Sequence, residues 1–170
     1  MISSSEEAKK VRKLVTNESD IGGVLILTSY LDSILESILR TRLKGGRTTE
    51  KLLKSGSGVL GTFTSRAELC YSLELIDNEL FSELKTISEI RNIFAHNHLS
   101  ASFKDDKISK LCGMLREPDR YLEASETKEE REQQEGLFNS SKARFSCSIY
   151  SAIDQLAKEK ISLRSRRQGG

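Results

Sequence analysis

The sequence predicts an all-α protein, a single bundle of about six or seven helices. Three observations carry that expectation. Apolar residues recur at three- and four-residue steps through several long stretches, which is the period of a helix with one buried face. Nothing alternates with period two for long enough to make a strand. One proline, no tryptophan and 6% aromatic residues in 170 fit long uninterrupted helices better than a β-sandwich with its many turns. The length suits one domain with its own core, and 31% charged against 36% hydrophobic residues implies wide solvated faces around it.

In order, Ser3 to Val15 forms a short helix, with Ser5 as N-cap and Glu6 and Glu7 complementing the dipole. The polar run Asn17 to Asp20 starts the next. From Asp20 to Lys44, Ile21, Val24, Leu25, Leu27, Tyr30, Leu31, Ile34, Leu35, Ile38, Leu39 and Leu43 make a stripe about six turns long. Asp32, Glu36, Arg40 and Arg42 lie off it, and Gly45 and Gly46 stop the helix. Thr48 to Ser55 is a short helical turn. The loop Gly56 to Gly61 has GxGxxG spacing, but it follows a helical segment and no strand, so it connects rather than cradles a dinucleotide. Thr62 or Thr64 caps a helix whose buried line is Phe63, Ala67, Cys70, Leu73 and Ile76, ended by Asp77 and Asn78. The helix from about Glu79 buries Leu80, Leu84, Ile87, Ile90 and Phe94 and ends at Asn97 or His98. Leu99 to Asp105 is a loop. Ile108, Leu111, Cys112 and Leu115 mark a short helix closed near Pro118. After an acidic connector, Leu137, Phe138, Phe145, Ile149, Ala152, Ile153 and Leu156 define a closing helix. The domain is expected over residues 1–160, with a basic flexible tail over 161–170.

A formal net charge of +2 gives no global field for nucleic acid. Charge is instead local: Glu123 to Glu135 is mostly acidic and reads as a solvated helix face or mobile connector, and Lys158 to Arg167 is basic. Cys70, Cys112 and Cys147 are odd in number, far apart and set among apolar residues, so they read as small buried hydrophobes. The N-terminus has no apolar signal core and no apolar run approaches ~20 residues, so the expected location is cytoplasmic, with no membrane partner.

The chemistry-bearing stretch is Asn78 to His98, which joins the strongest helical pattern to both histidines and to Arg91-Asn92-x-x-x-His96. Asn92 and His96 lie about 40° apart on a helix, whereas Arg91 and His96 lie roughly 140° apart. Arg91 and His96 therefore meet only if the helix unwinds near Ala95 or a second copy supplies the partner. The architectural reading has Phe94 plugging the core, Arg91 pairing a carboxylate such as Glu89 or Glu68, and His96 capping the last carbonyls. His96-x-His98 has no third histidine or clustered cysteine beside it, so neither a metal nor a cofactor is expected.

The run Gly58 to Leu115, about a third of the chain, resembles the core of the mannitol operon repressor family. The matching residues are Thr62-Phe63, Arg66, Ala67, Leu75-Ile76, Ile90-Arg91-Asn92, Phe94-Ala95-His96 and Ser102-Phe103. The chain departs from the pattern with Val59 in place of a usual proline, Glu74 in place of a glycine, and Ser88 in place of a frequent arginine. The resemblance implies a helical bundle without a DNA-reading module, a repressor that acts through a partner protein. Arg91-Asn92-x3-His96 also resembles the R-x4-6-H signature of the HEPN superfamily, some of whose members are dimeric metal-independent ribonucleases. That likeness implies His96 as general acid/base, Arg91 as stabiliser of transition-state charge and Asn92 as orienting group.

The expectation is a non-enzymatic transcriptional regulator acting by protein contact, with a homodimer consistent with the wide stripe on Asp20 to Lys44. The alternative is a HEPN-type ribonuclease or RNA-binding protein using Arg91, Asn92 and His96. A third reading is direct nucleic-acid binding through the basic tail, which would fall steeply with salt.

Overall fold

Polar caps set where the helices start. In a computed structural model, which describes the backbone of residues 6–97 and 100–168 and the side chains of 9–97, 100–160 and 162, four side chains close open helix ends. Ser19 accepts from the backbone N–H of Gly22, Thr62 from Ser65, Asp77 from Leu80 and Thr127 from Glu130. Each satisfies a donor that has no partner within its own helix. The described residues form nine helices: α1 (Glu6–Val15), α2 (Asp20–Arg42), α3 (Arg47–Leu53), α4 (Phe63–Ser72), α5 (Asn78–His96), α6 (Asp106–Met114), α7 (Glu117–Glu123), α8 (Lys128–Phe138) and α9 (Ser141–Gln168). No strand occurs among them.

The all-α expectation therefore stands, but six or seven helices becomes nine. Pro118, read as a stop, occupies the first turn of α7, where its missing N–H costs nothing. The acidic stretch, read as a solvated helix face or mobile connector, is helical as α8, which buries no residue and is held by a capping box and exposed ion pairs. Leu137 and Phe138 close α8 instead of opening the last helix, and Leu137 is exposed. The basic run from Lys158 to Arg167 continues α9 to Gln168. It contains no glycine or proline, and its cations suit a helix C-terminus. Ser3 to Ser5, with the Ser5 cap, lie outside the described residues.

α2 is the centre. α1, α4, α5 and α9 pack on it, α9 most extensively, and α5 also meets α4, α6 and α9. Its stripe supplies Leu31, Leu35, Ile38 and Leu39, all without exposure, and α5 supplies Leu84, Ile87, Ile90 and Phe94. The aromatic rings of Phe94, Phe103 and Phe145 run in contact from α5 to α9, with centroids 5.0 and 5.5 Å apart. At a mean hydropathy of 1.4, α2 is long and apolar enough by composition to cross a membrane, a property the sequence reading underrates. Within this fold its apolar face is the core.

One correction bears on function. Leu73, expected in the buried line of its helix, is 43% exposed. α4 ends at Ser72, so Leu73 turns outward as the C-cap while Leu75 and Ile76 fill the core. The loop before α4 packs closely: a Cβ on Gly58 or Gly61 would collide with carbonyl oxygens of Leu52 or Lys54. The glycines there serve close backbone approach.

Candidate functional site

Near the C-terminal end of α5, Arg91 and Asn92 reach a cleft of 470 Å3. Its other walls are Thr28, Ser29 and Asp32 of α2, Ser55 of the following loop, Gly61 to Thr64 at the start of α4, and Ser88 one turn back on α5. Arg91 Nη1 donates to Asn92 Oδ1 at 3.1 Å. Among the described residues no carboxylate pairs with Arg91, so the pairing with Glu89 or Glu68 is not formed. Asp32, the acidic residue in the cleft wall, is already engaged, its Oδ2 accepting from Arg66 Nη1 at 2.6 Å. The hydroxyls of Thr64 and Ser88 are 3.1 Å apart and join α4 to α5 across the cleft.

His96 is exposed on the last residue of α5 and is not part of the cleft wall. The fold thus places Arg91 and Asn92 in the cleft wall, with His96 one helical turn beyond Asn92 and outside that wall. His98 lies outside the described residues. No group of three or more histidine, cysteine or carboxylate residues able to hold a metal occurs among the described residues.

The residue that shapes this cleft escapes the sequence reading as a functional element. Arg66 is 1% exposed and takes four acceptors: Asp32, Glu36 at 2.8 Å, and the carbonyls of Leu60 and Leu53 at 2.9 and 2.8 Å. It pins the glycine loop to α2 and so fixes two cleft walls relative to each other. A signal was present, because Arg66 stands beside Ala67 inside an otherwise apolar line, and a buried guanidinium needs its partners supplied by the fold.

A second polar layer anchors the other side of α5. Glu83, 5% exposed, accepts the backbone N–H of Arg116. Glu117 accepts from Arg120 at 2.8 Å and from Ser151 at 2.7 Å, and Arg120 also reaches Glu79. Burial pushes the Glu83 carboxyl above its ordinary range, and the Arg116 N–H opposes the shift. The thiols of Cys70, Cys112 and Cys147 are pushed up to about 12 by burial, which marks them as packing groups and not as nucleophiles.

The junction of α4 and α5 carries a different surface. Tyr71, 39% exposed, stacks on Phe81 with centroids 4.5 Å apart and rings within 6° of parallel. Exposed Leu73 lies two residues beyond Tyr71. An open groove of 760 Å3 starts at Tyr71 and is rimmed by Glu74, Asp77 and Glu159. Glu74 is the described non-glycine residue with a positive φ, 54°. A side chain held in that left-handed region costs about 1 kcal/mol or more.

Comparison with known proteins adds three findings. None of the curated proteins matches the chain significantly. A crystal structure described as that of a possible transcriptional regulator from Shigella flexneri has the same fold, with a TM-score of 0.56. The two chains are 17% identical, and the match covers 96% of this chain and 99% of the other. The family model described as mannitol repressor matches residues 6–162, from the first turn of α1 into the last turns of α9. With nearly the whole bundle matched, the chain belongs to the mannitol repressor family.

Proposed function

We propose that this chain is a cytoplasmic, non-enzymatic transcriptional regulator that acts by contact with a partner protein. The contact surface is the aromatic and acidic groove at the junction of α4 and α5. The observation that carries this reading is the exposure of Tyr71 and Leu73 beside the carboxylates Glu74, Asp77 and Glu159. Large apolar side chains with a charged rim are the composition of a protein contact. A surface of three carboxylates repels phosphate, so this groove suits a partner segment with basic and apolar side chains and not a nucleic-acid backbone. Membership of a repressor family supports a regulatory role, and a homodimer is compatible with it.

The test is genetic. Deleting the gene and comparing transcripts defines what the protein regulates. A chromosomal copy carrying Tyr71→Ser and Leu73→Ser is expected to reproduce the deletion profile, with the purified variant melting like wild type. A variant that regulates normally, or a deletion that alters no transcript, overturns the proposal.

A further inference from the structure

We infer that the cavity between α1, the start of α2 and α9 is a binding site for a small apolar monocarboxylate. Its hydrocarbon body lies on the cavity floor and its carboxylate against Arg12. The inference goes beyond the regulatory reading and does not depend on it, because it concerns another face of the purified chain. The cavity measures 410 Å3, inside the ~300–1,000 Å3 range of small-molecule sites, and shares no wall residue with the cleft or with the acidic groove.

The walls are apolar below and charged at the rim. Val24, Leu27, Phe103 and Phe145, all core residues, line the floor. Gly23 keeps the space open, since a Cβ there would meet nothing nearer than the Val15 side chain at 4.0 Å. Most polar groups of the wall are already engaged. Lys142 Nζ pairs with Asp20 at 2.8 Å, Thr16 donates to the Arg12 carbonyl at 2.9 Å, and Ser19 caps α2. Arg12 is the exception. Its guanidinium lies 4.3 Å over the Tyr150 ring, and among the described residues no carboxylate pairs with it. Its Nε and Nη2 are enclosed without hydrogen-bond partners, which leaves Nη1 as the nitrogen a bound group meets. The Tyr150 face offsets part of the cost of burying this cation, but a partly buried charge still lacks its counter-charge. Glu18 is exposed, and water satisfies it. A carboxylate brings Nη1 both an acceptor and a charge. An alcohol brings the acceptor alone, an amine repels Arg12, and a polyanion would press further charge on Glu18 and Asp20 in the same rim.

Arg12 belongs to α1, Gly23 and Leu27 to α2, and Phe145 and Tyr150 to α9, so the cavity forms only when α1 is packed on the bundle. A ligand held there ties α1 to α9 and stabilises the folded chain by mass action.

The experiment is calorimetric titration of the full chain with hexanoate and octanoate, and with 1-octanol and octylammonium as probes of the same chain length and different charge. The expected result is saturable binding of octanoate, tighter than that of either octyl probe. Octanoate should also exceed hexanoate about tenfold or more, since each buried CH2 contributes roughly fourfold. Arg12→Gln removes the charge and is expected to weaken octanoate about tenfold while leaving 1-octanol unchanged, which shows the cavity intact. Gly23→Leu fills the cavity and is expected to abolish binding of both, with melting no lower than wild type because a helix glycine is replaced. Four results would overturn the proposal: no saturable binding of octanoate at millimolar concentration, an octyl probe bound as tightly as octanoate, octanoate affinity unchanged in either variant, or equal loss of octanoate and 1-octanol in Arg12→Gln. A Gly23→Leu chain that melts well below wild type would overturn it too, by showing that the space is not open.

Discussion

Replacing Arg66 by alanine removes a buried guanidinium that joins α2, the glycine loop and α4. The guanidinium is 1% exposed and satisfies two carboxylates and two backbone carbonyls at 2.6 to 2.9 Å. Breaking a buried ion pair by deleting one partner costs roughly 3–5 kcal/mol. Two features pull the figure down here: Asp32 and Glu36 keep 27% exposure and can rehydrate, and Glu36 retains Arg40 at 2.8 Å. Two others push it up, because the carbonyls of Leu53 and Leu60 each lose a bond worth ~1 kcal/mol. The sum stays near 4 kcal/mol, a large share of the ~5–15 kcal/mol that holds a domain together. For a chain of this size that corresponds to a fall in Tm of about 8–16 °C, read by far-UV circular dichroism. Arg66→Lys keeps the charge but cannot serve four acceptors in a fork, so it is expected to fall between the two. An alanine variant melting within about 2 °C of wild type would refute the reasoning.

Three further outcomes follow from particular residues. Glu74→Gly releases a left-handed side chain and is expected to raise stability by about 0.5–1 kcal/mol after the added chain entropy, or a few degrees in Tm; an unchanged or lower Tm contradicts the strain. Glu83 binds its proton more tightly folded than unfolded, so the folded state holds more protons as pH rises from the ordinary value of 4.5, and stability is lost across that interval. Glu83→Gln keeps an acceptor for Arg116, and its stability relative to wild type is expected to improve as pH rises through that window; a pH-independent difference in urea midpoints would contradict this. The Cys70 and Cys112 thiols, fully buried and held protonated, are expected to react with a disulfide reagent only as fast as the chain unfolds, and rapid labelling of either at neutral pH without urea would show otherwise.

What the sequence makes legible follows from the kind of signal each element carries. α2, α5 and the buried part of α9 announce themselves through apolar residues on one face, because those residues are the core. α8 has no buried residue, so hydrophobic periodicity is blind to it; its signals are the Thr127–Glu130 capping box and the pairs Lys128–Glu132 and Arg131–Glu135. α7 is hidden by Pro118, which ends a helix in one position and begins one in another. The same split governs the site. Arg91 and Asn92 stand out as neighbours in one helix, but the cleft they face takes its walls from Thr28 to Asn92, and no local spacing reveals that assembly. Two of the departures from the family pattern gain physical meaning only in three dimensions. Glu74 sits at a left-handed position that a glycine adopts freely, and Ser88 exchanges a hydroxyl contact with Thr64 in the cleft wall.

The measurement that bears most directly on regulation by protein contact is the affinity of the purified chain for promoter DNA of the genes that its deletion derepresses. Fluorescence anisotropy at about 50 and 200 mM salt, against a scrambled duplex, separates specific from phosphate-driven binding. The account predicts no preference for the promoter over the scrambled duplex at either salt concentration. A promoter Kd of ~10⁻⁸ M or tighter that survives the higher salt, with much weaker binding to the scrambled duplex, would contradict it and show that the chain reads DNA itself.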